Sequence, residues 1–224
     1  MMGQRIRLSW RRMARMRLGE WGGLFRFVAR YVDLLIVPWF LEPIVVWIYV
    51  SARVASLCIP LTLFLLGSRV ARQLSKLAQA QEQSGFQSAA ARVNLSYLMV
   101  CGAMALFVMV GAPNLAVILG TPKGLYSEIL VWLVVGQSAP VLFGATGLLM
   151  HAVERGAFYD MLLGLTALLF LAATVLFDVR DGVMVAQALV AAQMTQAGLC
   201  ALLLTQCGVW PGLTSLLHKE IKLF

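Results

Sequence analysis

The apolar residues of this sequence are gathered into runs of about twenty, separated by short polar or basic segments. An α-helix rises about 1.5 Å per residue, so about 20 apolar residues cross a hydrocarbon core about 30 Å thick. Leu24 to Leu66 is too long for one crossing and carries a natural break at Glu42–Pro43. It reads as a hairpin, with one helix near 24–41 and a second near 44–67. Four more runs follow, near 93–112, 128–150, 157–177 and 183–206. The expected fold is an all-α integral membrane protein of about six transmembrane helices. The composition agrees, being 61% hydrophobic with 12% charged residues. That charged fraction is about half of what a soluble domain carries, and a soluble fold of this length has too little interior for so many Leu, Val and Ala side chains.

The cations mark orientation. With the N-terminus inside, the inner side receives Arg5, Arg7, Arg11, Arg12, Arg15, Arg17, Arg26, Arg30, Arg69, Arg72, Lys76, Arg92, Arg155, Lys219 and Lys222. The outer side receives Lys123 and Arg180, while Arg53 falls inside the second helix. This bias puts both termini in the cytoplasm and requires an even number of crossings. The net charge of +8 therefore reads as topology signal and contact with lipid headgroups, not as a nucleic-acid surface. Residues 1–23 form a basic segment and 207–224 a cytoplasmic tail. For residues 5–24 two readings balance: an amphipathic helix lying in the inner interface, or a basic flank that only fixes topology. Ser68–Ala91, rich in Gln, Ala and Ser, is expected to extend the second helix outside the membrane.

Asp33 and Arg53 are the main chemical signal. Each lies about ten residues from the turn at 42–43, so they meet at about 15 Å depth on adjacent antiparallel helices. Either charge alone in hydrocarbon is costly, which makes an ion pair the expected arrangement. The pair serves either as glue inside the bundle or as the lining of a polar cavity. Tyr49 is one helical turn before Arg53 and shares its face. In the run 128–150, Gly136, Pro140 and Gly144 are spaced by four, which points to close packing or to a bend that frees carbonyls toward a cavity. Gln137 is the candidate cavity donor beside them, and Pro60 is expected to bend the second helix. His151, Glu154 and Arg155 read as solvated loop residues. The four cysteines lie in apolar runs without a CxxC, so no metal or other cofactor is expected, and motifs of soluble enzymes are missing. An enzymatic role is not expected.

The stretches YVDLLI (Tyr31–Ile36), Phe40-Leu41-Glu42-Pro43 and Tyr49-Val50-Ser51-Ala52-Arg53 resemble polysaccharide flippases. These are Wzx-like O-antigen and exopolysaccharide exporters of the multidrug/oligosaccharidyl-lipid/polysaccharide superfamily. Leu133–Leu149 with Glu154-Arg155 is similar to their tenth helix and its cytoplasmic end. The resemblance covers residues 24–206 and matches the C-terminal six-helix lobe of a two-lobed fold. It implies a bacterial inner-membrane half transporter for a polyprenyl-pyrophosphate-linked oligosaccharide. Arg53 would attract the pyrophosphate, Asp33 set the charge, and Tyr49 and Gln137 offer hydrogen bonds. It also implies a second six-helix lobe, from a second copy, a separate chain or the missing part of a longer gene. A non-transporting scaffold of a polysaccharide assembly complex is the alternative.

Overall fold

The computed structural model describes residues 25–80, 83–177 and 179–212. The basic segment 5–24 and the end of the tail lie outside the described residues. All regular structure among the described residues is helical: α1 (25–30), α2 (Val32–Phe40), α3 (Pro43–Ser56), α4 (Cys58–Gln79), α5 (Gln83–Ile118), α6 (Lys123–Gln137), α7 (Ala139–Phe143), α8 (Thr146–Ala152), α9 (Gly156–Leu176) and α10 (Gly182–Gln206).

Four helices among these residues are long and apolar enough to cross a membrane: Pro43–Gln79, which joins α3 and α4, then Ser84–Ile118, Gly156–Leu176 and Gly182–Gln206. The other two apolar runs of the sequence are interrupted. Run 24–41 bends at Tyr31, between α1 and α2. Run 128–150 is broken at Ser138 and again at Gly144–Ala145, giving α6, α7 and α8.

Each interruption has a local cause. At Tyr31 the Leu34 N–H donates to the Tyr31 carbonyl at 3.1 Å, a tighter turn than the α-helical one. Pro140 stands in the first turn of α7, where its missing N–H is tolerated. Gly144 then adopts φ +83°, ψ −178°, a conformation open to glycine and not to L side chains. The backbone of Gly212 lies against Gly144, where a Cβ would collide with it. The buried Ala145 N–H, freed by the break, is met by Asn94 Oδ1 of α5 at 3.0 Å. Leu57 separates α3 from α4, and the cause is Pro60, whose ring crowds the carbonyl of residue 56 and cannot donate to it.

Two helices run past their expected ends. The second continues from 67 to Gln79 and the third starts at Gln83 and ends at Ile118. Hydropathy marks only the immersed stretch, whereas Ala, Gln, Lys and Arg favour helix wherever they stand. The extension expected over 68–91 is helical on both sides of residues 80–82.

Within the bundle, α6 packs against α3, α5 and α10, while α4 lies along α5 and α9 along α10. Gly136 lets α10 close on α6, because a Cβ there would run into Gln193 and Val190. That is the small-residue contact membrane helices use. The outer surface is apolar, with Trp39, Leu106, Phe107 and Leu168 among its exposed side chains.

Candidate functional site

Arg53 and Asp33 are fully withdrawn from solvent, at 1% and 0% side-chain exposure. Arg53 Nε donates to Asp33 Oδ2 at 2.7 Å, and the Tyr49 hydroxyl donates to the same oxygen at 3.0 Å. The α2–α3 hairpin produces this, since both residues are similarly distant from the turn at Leu41–Glu42. The bend at Tyr31 adds a further partner: Arg53 Nη2 donates to the Arg30 carbonyl at 3.4 Å. Asp33 Oδ1 and Arg53 Nη1 are buried without a hydrogen-bond partner among the described residues. The pair is a neutralised polar knot inside the hairpin.

A cavity of about 630 Å³ lies on the other side of α1 and α2. Its walls come from α1, α4, α9, α10 and the broken segment α6–α8. Gln137, Gln193, Gln196 and Thr166 give it polar groups, the last three from helices long and apolar enough to cross a membrane. The Gln196 amide nitrogen is buried and has no hydrogen-bond partner among the described residues. The remainder is mostly apolar, with Phe170, Leu163 and Leu189 among the wall residues. A few polar groups in a largely apolar recess of this volume make an ordinary small-molecule or headgroup site.

The sequence-expected residues separate into two groups. Gln137, Gly136 and Pro60 line the cavity. Asp33, Arg53 and Tyr49 do not: they sit behind its wall and do not face the space a ligand would fill. The Arg53 guanidinium, expected to attract a phosphate, donates from Nε to Asp33 and from Nη2 to the Arg30 carbonyl. Gly144 and Pro140 shape the site by breaking the helix beside it, so the glycine spacing serves both packing, at Gly136, and interruption, at Gly144.

The end of the cavity beside α1 holds residues to which sequence reasoning gave no place in a site. Arg26 and Arg30 of α1 stand one helical turn apart and line it. Arg26 Nε lies 3.6 Å from Asp160 Oδ1 of α9, and Arg30 Nη2 donates to the Tyr159 hydroxyl at 3.4 Å. His151 also lines the cavity, its ring 5.7 Å from that of Tyr159, and is not the plain loop residue expected. Loss of water holds its imidazole below the ordinary range; Asp160 pulls it back up and Arg26 pushes it further down. Tyr159 lies against Gly147, and Phe25 packs on Gly164, one turn along α9 from Asp160. The sequence signal for this cluster was an acid, Asp160, inside an apolar run, facing two arginines first read as topology markers. Glu154 and Arg155 remain exposed, Arg155 lying 5.6 Å over the Phe158 ring.

No family model, curated protein or solved structure matches the chain. Its functional reading rests on the residues themselves.

Proposed function

We propose that this chain is one lobe of a flippase-like transporter, carrying a polyprenyl-pyrophosphate-linked oligosaccharide across a bacterial inner membrane. The observation that carries the reading is the cavity: a recess with amide and hydroxyl groups at membrane depth, beside a helix broken by Pro140 and Gly144. Non-helical backbone at that depth is tolerated where it is buried in protein or lines a water-filled space, and transporter sites are built this way. In this reading the interrupted runs 24–41 and 128–150 also cross, which makes six crossings with both termini inside. A single lobe encloses one side of a pathway, and alternating access needs two bodies that rock about the site. The chain therefore works with a second six-helix lobe, either a separate chain or a second copy of itself.

Gln137 and Gln193 supply hydrogen bonds to sugar hydroxyls, and the Asp33–Arg53–Tyr49 knot keeps the first hairpin rigid beside the cavity. The test is export in a flippase-deficient strain that co-expresses a first lobe. Gln137→Ala with Gln193→Ala is expected to reduce export severalfold at unchanged protein level. Full export by that double variant would sink the cavity's role.

One observation favours the scaffold alternative. The charged residues expected to meet substrate are sealed behind the cavity wall, as structural glue would be. A scaffold leaves the cavity idle, so the same double variant would support complex assembly and polysaccharide output at the wild-type level.

A further inference from the structure

The chain does not leave the bundle where α10 ends. Cys207 and Gly208 turn it back, with Gly208 at φ +75°. The Val209 N–H donates to the Leu204 carbonyl and the Gly208 N–H to the Thr205 carbonyl, both at 3.0 Å, and Val209 is buried. This pairing is the glycine-ended closure that satisfies the last carbonyls of a helix. Gln87 of α5 secures the turn from another side, its Nε2 donating to the Gly208 carbonyl at 2.9 Å. Residues 208–212 thus form a strap fixed at its start to α10 and α5. At its far end Gly212, with φ +59°, lays bare backbone on α7. A Cβ there would run into the Leu142 carbonyl oxygen, the Phe143 carbonyl carbon and the Gly144 nitrogen.

The helix under the strap is the one least able to hold itself. α7 has five residues, Ala139–Phe143, with one break before it at Ser138 and another after it at Gly144. A helix of that length is not stable alone. The Phe143 ring lies against Gly198 of α10, but Leu142 is 52% exposed, so the outward side of α7 is not packed. Residues on both sides of the two breaks line the cavity: Gln137 and Ala139 at one, Ala145 and Thr146 at the other.

We propose that residues 208–212 are a latch on α7. Seated, they clamp the short helix and hold the cavity wall beside it; withdrawn, they let α7 swing about Ser138 and Gly144 and open that wall. Hinges are a few residues at element ends that absorb a change in φ and ψ, and both breaks have that place. The contact at Gly212 is backbone on backbone, so it parts without drawing a large side chain out of the core. Asn94 holds the Ala145 N–H at the start of α8, which keeps α8 in place while α7 moves. The Gln87 bond is exposed, which makes it the point where the latch loosens first.

The latch makes no assumption about what the cavity carries, and its test needs no substrate. The full chain, with its four native cysteines replaced, is placed in phosphatidylcholine nanodiscs and labelled with N-ethylmaleimide. Ala139→Cys reports on the cavity wall in α7, and Ala116→Cys, in α5 away from the cavity, reports on the bundle at large. The two alanines are 3% and 0% exposed, so labelling at either requires opening. Gln87→Ala is expected to speed labelling at 139 about fivefold, the weight of one hydrogen bond in an opening equilibrium, and to leave 116 unchanged. Gly212→Ala, whose Cβ does not fit against α7, is expected to speed labelling at 139 further. An unchanged rate at 139 in either variant would overturn the latch. Equal acceleration at 139 and 116 would overturn it too, since the strap would then hold the whole bundle and not α7. Failure to support export refutes the transport reading and leaves the latch standing.

Discussion

An arginine placed in hydrocarbon must have its charge met, and Arg53 meets Asp33 Oδ2 at 2.7 Å and the Arg30 carbonyl at 3.4 Å. Its partner is shared, because the same carboxylate oxygen accepts from Tyr49. Removing one member of such a buried pair leaves an uncompensated charge and costs about 3–5 kcal/mol, whereas replacing both with apolar residues of similar size is often neutral. Arg53→Met is expected to lower stability by that amount, and Asp33→Leu with Arg53→Met to recover most of it. Reversible unfolding in detergent micelles checks both, and a double variant no more stable than the single one would show that the knot contributes more than neutralisation. The pair was legible in the sequence because the turn at Glu42–Pro43 fixes the depth of both residues. What the pair faces was not legible. Depth follows from counting residues along a hairpin, but which side of the hairpin meets the cavity depends on α9, α10 and the bend at Tyr31, none of which the local pattern encodes. The same gap hid Asp160: its partner Arg26 is 134 positions away in the chain, beyond any periodicity.

Among the elements, the broken segment α6–α7–α8 governs the cavity. The sequence showed the glycine–proline spacing but left close packing and interruption both open, and the structure uses them at different glycines. Gly136 stays helical and admits α10; Gly144 leaves the helix altogether. The decision between them lies in distant partners, since Gly212 and Asn94 occupy the space around Gly144 and bind the backbone it frees. A residue held in a glycine-only region costs about 1–3 kcal/mol when substituted, before any collision is counted. Gly144→Ala is therefore expected to destabilise by at least that much, because its Cβ also meets the Gly212 backbone. Gly102→Ala is the matched control: it stands in α5 with open space around it, and alanine favours helix over glycine by about 1 kcal/mol. Thermal unfolding of the two variants in the same detergent should move in opposite directions. If Gly144→Ala unfolds like the wild type, the break is not held in place by this glycine.

At the scale of the molecule, the all-helical character of the described residues and the four helices long and apolar enough to cross a membrane follow from hydropathy alone, since an apolar run of about 20 residues needs no tertiary information to be recognised. The other two runs are equally apolar, yet their helices are interrupted, so length and composition do not decide whether they cross. Charge does. If only the four uninterrupted helices spanned, Glu42 and the segment near Lys123 could not both be placed outside while Arg26, Arg30, Arg92 and Arg155 stay on the side that collects cations. The proposed six crossings would satisfy all of these positions and would put the broken helices, which line the cavity beside its glutamines, across the membrane. Single cysteines introduced at Glu42, Ala80, Lys123, Glu154 and Arg180, in a background without the four native cysteines, separate the alternatives. A membrane-impermeant thiol reagent added to intact spheroplasts is expected to label positions 42, 123 and 180, and to reach 80 and 154 only after permeabilisation. External labelling at 154 would place α8 on the outer face, remove the sixth crossing and detach Arg26 and Arg30 from the inner leaflet. Labelling confined to 42, 123 and 180 would fix α1 at the cytoplasmic interface, where lipid phosphates stand within reach of its arginines.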